Sequence, residues 1–428
     1  MTDRGVTKSE AFQARLRQRQ KQEARFKGYG IAAIVTALGF LCVLLGSMIY
    51  SALPALTHHH LVLDVVVEVP ADKVSQDRFE LADGMDWRGI TFAALHQRFP
   101  DVTSRRDRRA LMGLLSMSAS DAVEEAFLNG SIAPNEVAQV EVPVSDDFDL
   151  LIKGVIDRSL PETDRIVSDR VLTWIELLEA DGRVVSRWAW ALLTNGDSRE
   201  PEMAGVRGAF IGTLWTMLVT LLVSLPIGVM AAVYLQEIAP RNRFTDFVEI
   251  NINNLAAVPS IVFGLLGLAV FINVFHMPRS SPLVGGLVLA LMTLPTIIIA
   301  TRASLAAVPP SIREAALGIG ASRLQVIMHH VLPLALPGIL TGTIIGLAQA
   351  AGETAPLLMV GMMAFIVDTP TEVTAKATVL PAQIYMWANN PERAFVARTS
   401  AAILILLMLL LTMNALAIYL RKRFEKRW

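Results

Sequence analysis

Residues able to do chemistry are rare in the apolar parts of this chain, so each one carries information. Glu353 is the only charged residue in an otherwise apolar run over 334–365. A carboxylate at bilayer depth costs at least about 2.5–3.5 kcal/mol on insertion scales, and it marks a pathway or a partner. Gly338, Gly342, Gly346, Ala350 and Thr354 recur every four residues in the same run. Such a small-residue stripe lets another helix approach closely. Seven residues from Gly346 make nearly two turns, so an unbroken helix sets Glu353 within about 20° of the stripe, with Gln349 one turn below. The carboxylate is then expected to face helices or a cavity, where it pairs with a basic group and gates a path. It is not expected to hold an anion, which its charge repels. Thr354, Asn253, Asn254 and Ser260 are neutral donors suited to that task, although each can equally tie helices together. Val258-Pro259-Ser260 reads as a broken helix whose freed backbone N–H groups could face the path. Arg302 is the alternative partner for Glu353 within the chain, or a residue that snorkels from a helix end.

Other chemistries find little support. No Gly-Lys dipeptide occurs, so the phosphate-cradling G-x-x-x-x-G-K-[ST] loop is missing and ATP is not bound by that route. A single cysteine, Cys42, excludes an internal disulfide framework and a Cys-based zinc site, and its apolar surroundings predict an inert core thiol. His58, His59 and His60 carry imidazoles of the kind that ligate transition metals. Adjacent residues of an extended segment point to alternate faces, however, and no neighbouring carboxylate or cysteine completes a set. The triplet is expected to be an interfacial or solvated run, and no metal site is expected. Arg105, Arg106, Arg108 and Arg109 read as a solvated helix face.

The elements that must position these residues are long and apolar. Hydrophobic residues make up 53% of the 428, with a mean hydropathy of +0.47, which points to a membrane class and away from soluble multidomain proteins. Six blocks, 28–53, 208–235, 255–275, 283–300, 334–365 and 399–420, approach or exceed the roughly 20 residues that cross a bilayer. The first follows a basic, Gln-rich tail over 1–27, exceeds a signal-peptide core in length, and is expected to stay uncleaved. Residues 54–205 are different in character: 61–67 reads as a strand and 110–128 as a helix, which predicts a mixed α/β soluble domain. Residues 64–202 hold 27 acidic side chains against 15 basic ones. Such a field does not attract an anion, so the domain is expected to serve structure or receptor contact. With the N-terminus inside, Arg241, Arg243, Arg302, Arg313, Arg323 and the basic C-terminus all become cytoplasmic, while the short outer loops hold only Arg279, Lys376, Arg393 and Arg398. Both termini are therefore expected in the cytoplasm.

One polar island interrupts the membrane blocks on the same side. Within 312–333, Ala315, Ala316 and Leu317 favour a helix, Gly318 and Gly320 interrupt it, and Ser322 can cap a second helix ending at Pro333. Two short helices at an elbow follow, a knob that a soluble partner could grip. Glu314-Ala315-Ala316, Gly320 and Leu332-Pro333 resemble the coupling motif of ABC importer permeases, with His330 where the family has a branched apolar residue. Gly352-Glu353-Thr354-Ala355-Pro356-Leu357-Leu358, with residues 254–264 upstream, is similar to Pst-type phosphate importer permeases. Over 205–428 the chain resembles the PstA-like subunit and not its PstC-like sister.

The resemblance implies an all-α polytopic membrane protein with the type I ABC importer permease fold and six transmembrane helices. Its parts are a cytoplasmic tail (1–27), a first helix (28–53), an extracytoplasmic α/β insertion (54–205) and a five-helix core (206–428) with a coupling loop at 303–333. It further implies that Glu314, Ala315, Ala316, Gly318 and Gly320 couple to an ATPase. ATP and Mg then reside on that partner, and this chain binds no cofactor and catalyses nothing. A PstC-like permease, two PstB-like ATPase subunits and a PstS-like phosphate-binding protein complete the assembly in a bacterial inner membrane, without nucleic acid. The alternatives are a permease for sulfate or molybdate, or a membrane-anchored sensor. Cation-coupled symport is disfavoured, because the elbow would have no purpose and intramembrane acids are few.

Overall fold

A computed structural model describes the protein at residues 10–70, 77–163 and 165–424. Arg4, Lys8, Lys426 and Arg427 lie outside the described residues. The chain divides into two compact units, Met1–Ser51 and Ala52–Trp428. Most of helix α1 (Glu10–Leu56) belongs to the first. It begins well before the apolar block because the Arg-, Gln- and Lys-rich stretch is itself built of strong helix formers. Cys42 is exposed on this helix and is not a core thiol.

The second unit opens with strand β1 (Thr57–Val66), the centre of a three-stranded antiparallel sheet of order β2-β1-β3. Strand β2 is Val137–Pro143 and β3 is Val184–Trp188; Leu63 pairs with Val140, and His60 with Val185. Period-two alternation puts Leu61, Leu63 and Val65 on one buried face. Six helices contribute to the same core: α2 (Arg78–Ala82), α3 (Trp87–Arg98), α4 (Arg105–Met112), α5 (Ala119–Leu128), α6 (Asp146–Ile152) and α7 (Asp169–Ala180). Its largest fully buried members include Leu95, Phe127, Phe148 and Ile175. The single helix expected over 110–128 is in fact α4 and α5. The residues between them pair with the sheet edge instead: Leu115 bridges Val144, and the Ser116 N–H donates to Pro143 O at 3.1 Å.

A short helix, α8 (Ala191–Thr194), and a 3-10 turn at Pro201–Met203 lead into the membrane core. There α9 (Arg207–Val233) ends in a π turn, Tyr234–Ile238. Helix α10 (Arg243–Leu255) then meets α11 (Ser260–Leu266, continued to Val274) at an angle of 106°. Pro259, which has no N–H to donate, sits at that bend. Next come α12 (Pro282–Ala306) and the elbow helices α13 (Pro310–Gly318) and α14 (Arg323–Gln325). Through π-helical Val326–Val331, α14 runs on into α15 (Leu332–Ala351), so Pro333 opens the last segment of a 29-residue helix and does not end one. The tail of the core is α16 (Ala355–Met359), α17 (Leu380–Ala388) and α18 (Ala394–Phe424). Among the described residues five helices are long and apolar enough to cross a membrane, and the bent pair makes a sixth span if it crosses as one. Helix α12 lies at the centre, packed against α9 and α15; the Thr220 hydroxyl of α9 reaches Gly286 O of α12 at 3.2 Å.

Candidate functional site

The elbow is built by local chemistry. Pro310 occupies the first turn of α13, where its missing N–H is not needed. Gly320 ends the helix at φ +91°, a left-handed conformation that favours glycine. Its N–H bonds Leu317 O at 2.9 Å, and the Ala321 N–H bonds Ala316 O at 3.1 Å. Ser322 then caps α14 through a capping box: its hydroxyl accepts from the Gln325 N–H at 3.4 Å, and its own N–H donates to Gln325 Oε1 at 2.8 Å. Glu314, Ala315, Gly318 and Gly320 are exposed. Ala316 is not: it is 4% exposed in an apolar cluster with Leu305, Val308, Val331 and Ile339, so it seats the elbow and does not face outward. Leu317, Ile319, Leu324 and Met328 are exposed apolar side chains around the bend, Ile319 to 82%. His330 lines an open groove of about 720 Å³ instead of packing, and Val331 beside it is fully buried. The π-helical turn adds one residue to the repeat, which moves the packed position one place along.

Glu353 does not continue the helical stripe. Helix α15 stops at Ala351 and Gly352 caps it, so Glu353 and Thr354 occupy a break before α16. The extrapolated angle therefore fails, and the polar residues cluster by another route. The bend before α11 and the break before α16 meet through Val258, Phe263, Ala350, Ala351 and Leu357 in one apolar cluster. Gly264 allows this contact, since a Cβ there would come within 2.7 Å of Pro356 Cα. Ser260 opens α11 and Thr354 precedes α16, both half-buried; Asn253, Asn254 and Gln349 are exposed. Glu353 is half-buried and has no ion pair among the described residues. Arg302 is not its partner: Nη2 donates to Glu249 Oε1 on α10 at 2.6 Å.

The glycine stripe faces α12. Helix α15 lies on α12 with Gly338 against Ser304, Gly342 against Ala300, and Gly346 against Thr293 and Ile297.

Two family models match. One, the binding-protein-dependent transport system inner membrane component, covers residues 224–428; the other, a domain of unknown function (DUF3333), covers residues 13–162. A probable ABC transporter permease protein, YqgI of Bacillus subtilis, is 28% identical over 54% of this chain and 83% of its own. Phosphate transport system permease protein PstA 1 of Mycobacterium tuberculosis is 31% identical over 58% of this chain and 81% of its own. The chain belongs to the PstA-like permease family. A further PstA, from Haemophilus influenzae, is 33% identical over 47% of this chain and 70% of its own. This PstA-like chain is a non-catalytic permease subunit of an ABC importer, a multi-pass inner-membrane protein with an α/β insertion.

In this PstA-like permease, buried polar groups that the sequence did not announce fasten the insertion to the core. Arg398, counted above with the outer loops, is 5% exposed on α18, and its Nη1 donates to Ala204 O at 2.5 Å. Trp387 Nε1 donates to Asp197 Oδ1, and Gln383 Nε2 to Gly205 O, both at 2.9 Å. Nor is the histidine run solvated. His58 lies 3.5 Å and His59 2.8 Å from the Asp149 carboxylate, and Lys153 pairs with the same group while donating to Pro54 O and Thr57 O. Burial opposes ionisation of Asp149, but hydrogen bonds from His58 and His59 and the charges of His58 and Lys153 outweigh it, holding its carboxyl well below the usual range. Burial pushes the Glu202 and Asp146 carboxyls up, and Glu202 Oε2 is buried without a hydrogen-bond partner. No set of His, Cys, Asp and Glu able to hold a metal occurs among the described residues. Asp149 stands 90 residues from His59, so no local pattern could have paired them.

Proposed function

We propose that this chain imports inorganic phosphate as one half of a path completed by a PstC-like permease. PstB-like ATPase subunits, which hold ATP and Mg, drive it through the 312–333 elbow, and a PstS-like binding protein delivers phosphate from outside. The observation that carries this reading is the elbow, where Leu317, Ile319, Leu324 and Met328 form an exposed apolar knob beside Glu314. Exposed apolar side chains on a polar island between apolar membrane blocks suit an interaction surface. Relatives named for phosphate transport, at 31% and 33% identity, support the substrate.

In this reading Glu353 gates the path. It has no ion pair within the chain's described residues, and a half-buried charge at bilayer depth calls for a counter-charge, which a basic residue of the PstC-like permease supplies. Thr354, Ser260, Asn253, Asn254 and Gln349 offer neutral donors near the two helix interruptions. Arg302 acts through Glu249 on α10 and not on the anion. Both termini are cytoplasmic, a topology supported by the excess of basic residues on the elbow side. The assembled complex, reconstituted in vesicles, should hydrolyse ATP faster with inorganic phosphate and no faster with sulfate. Stimulation by sulfate or molybdate alone would reassign the substrate, and failure to retain any ATPase would return the sensor reading.

A further inference from the structure

The elbow helix α13 is mostly exposed, so whatever force it receives must leave through few attachments. Two are apolar: half-buried Ile312 and buried Ala316. The third is Arg313, whose guanidinium makes four hydrogen bonds, to the end of α9, to α12 and to the segment that follows α12. Nε donates to Glu237 Oε2 at 3.2 Å and Nη2 to Glu237 Oε1 at 2.7 Å, a two-pronged grip on the π turn that ends α9. Nη2 also donates at 2.8 Å to Leu305 O in the last turn of α12, a carbonyl that already accepts from the Val308 N–H at 3.2 Å, and Nη1 donates at 2.7 Å to Val308 O just past that helix.

We propose that the Arg313–Glu237 pair is the linkage that carries movement of the elbow into α9 and α12, with Arg313 as a positioning residue of the transport cycle. This rests on the reading of the elbow as the ATPase contact. The pair is well sheltered, with the Glu237 side chain 11% and the Arg313 side chain 23% exposed. Lifting α13 without α9 and α12 would break all four bonds and strand a poorly solvated charge, so the three elements move together. Only a guanidinium fits the role. Its planar fork grips both carboxylate oxygens while other N–H groups reach the carbonyls; a lysine ammonium has three donors at one point. By contrast, Arg302 makes one bond to Glu249 and leaves its buried Nε unpartnered, a looser tie that does not involve the elbow.

The test uses the reconstituted importer, and its readout is inorganic phosphate moved per ATP hydrolysed. Arg313→Lys and Glu237→Gln keep the size of each side chain and leave the exposed knob untouched. Both complexes should retain the ATPase on purification and keep hydrolysing ATP, yet move about tenfold less phosphate per ATP, equivalent to about 1.4 kcal/mol. The double variant should be no worse than the poorer single one, because both remove the same linkage. If Arg313→Lys does not assemble, Glu237→Gln decides, since it removes the carboxylate and its two-pronged grip while Arg313 still reaches Leu305 O and Val308 O and holds the local fold. A retained ATPase with an unchanged ratio overturns the linkage while leaving the docking reading intact. If the unaltered chain retains no ATPase, the docking reading fails and the linkage with it.

Discussion

The packing of α15 on α12 makes a prediction whose sign changes along one helix face. A methyl at Gly342 would fall well inside 3.0 Å of Ala300 Cβ, which has no flexible end to swing aside. The two helices would have to separate or rotate, and overpacking of this kind costs about 1–3 kcal/mol. Against this stands the gain of about 0.8–1 kcal/mol when alanine replaces glycine inside a helix. Gly342→Ala should therefore be destabilising on balance. At Gly346 the nearest atom to a new methyl is Thr293 Cβ at 3.7 Å, an ordinary contact, so only the helix-propensity gain remains and Gly346→Ala should stabilise. Gly338→Ala should fall between them: the Ser304 hydroxyl can rotate away once it gives up its 2.7 Å bond to Ala300 O, but Ser304 Cβ would remain at 2.8 Å, a closer approach than any at Gly346 and a looser one than at Gly342. Thermal unfolding of the three variants in one detergent, with phosphate uptake measured in parallel, gives the order directly. Gly342→Ala as stable as Gly346→Ala would refute the claim that this stripe exists for close approach.

Three further outcomes follow from other parts of the molecule. Ile319→Asp changes an 82% exposed side chain, so the protein should fold normally and lose its ATPase on purification; an ATPase retained at full yield would remove the apolar knob from the docking surface. Glu353→Ala should lower phosphate uptake by about tenfold or more, the scale of losing a charge-assisted contact, and unchanged uptake would mean that Glu353 gates nothing. The insertion joint should show opposite pH signatures. Asp149 is held below its unfolded value, so its stabilisation is complete above the unfolded pKa of about 3.9 and fades as pH falls through the folded one. Asp149→Asn should lower the unfolding temperature at neutral pH, with the deficit shrinking in acid. Glu202 is raised, so stability is lost as pH climbs from its unfolded pKa of about 4.3 through the folded value. Glu202→Gln should thus raise the unfolding temperature more at about pH 8 than at about pH 5, and melting curves at both would expose an error in either sign.

Much of this architecture was legible because its causes are local. Spanning length depends on a run of apolar residues; among the described residues five of the six apolar blocks became helices long enough to cross, and the sixth, 255–275, became half of a bent pair. The elbow was legible for the same reason: Gly320 needs a left-handed backbone and Ser322 caps within three residues. The misreadings arose where a local regularity was carried past its end. The four-residue stripe was extended through Gly352 toward Pro356, although a glycine and a proline so close together interrupt helices, and Glu353 left the stripe as a result. The π turn before Leu332 shifted the packed residue from position 330 to Val331, because that turn adds a residue that only the packing around it demands.

What the tertiary structure alone decided is which charges meet. Arg313 and Glu237 are 76 residues apart, His59 and Asp149 are 90, and Arg398 reaches a carbonyl 194 residues away. Chain composition determined that this protein enters a membrane and presents an elbow, since transfer from water and backbone propensity act residue by residue. Partner choice among buried charges depends on which apolar faces have already packed, and that is a property of the assembled fold.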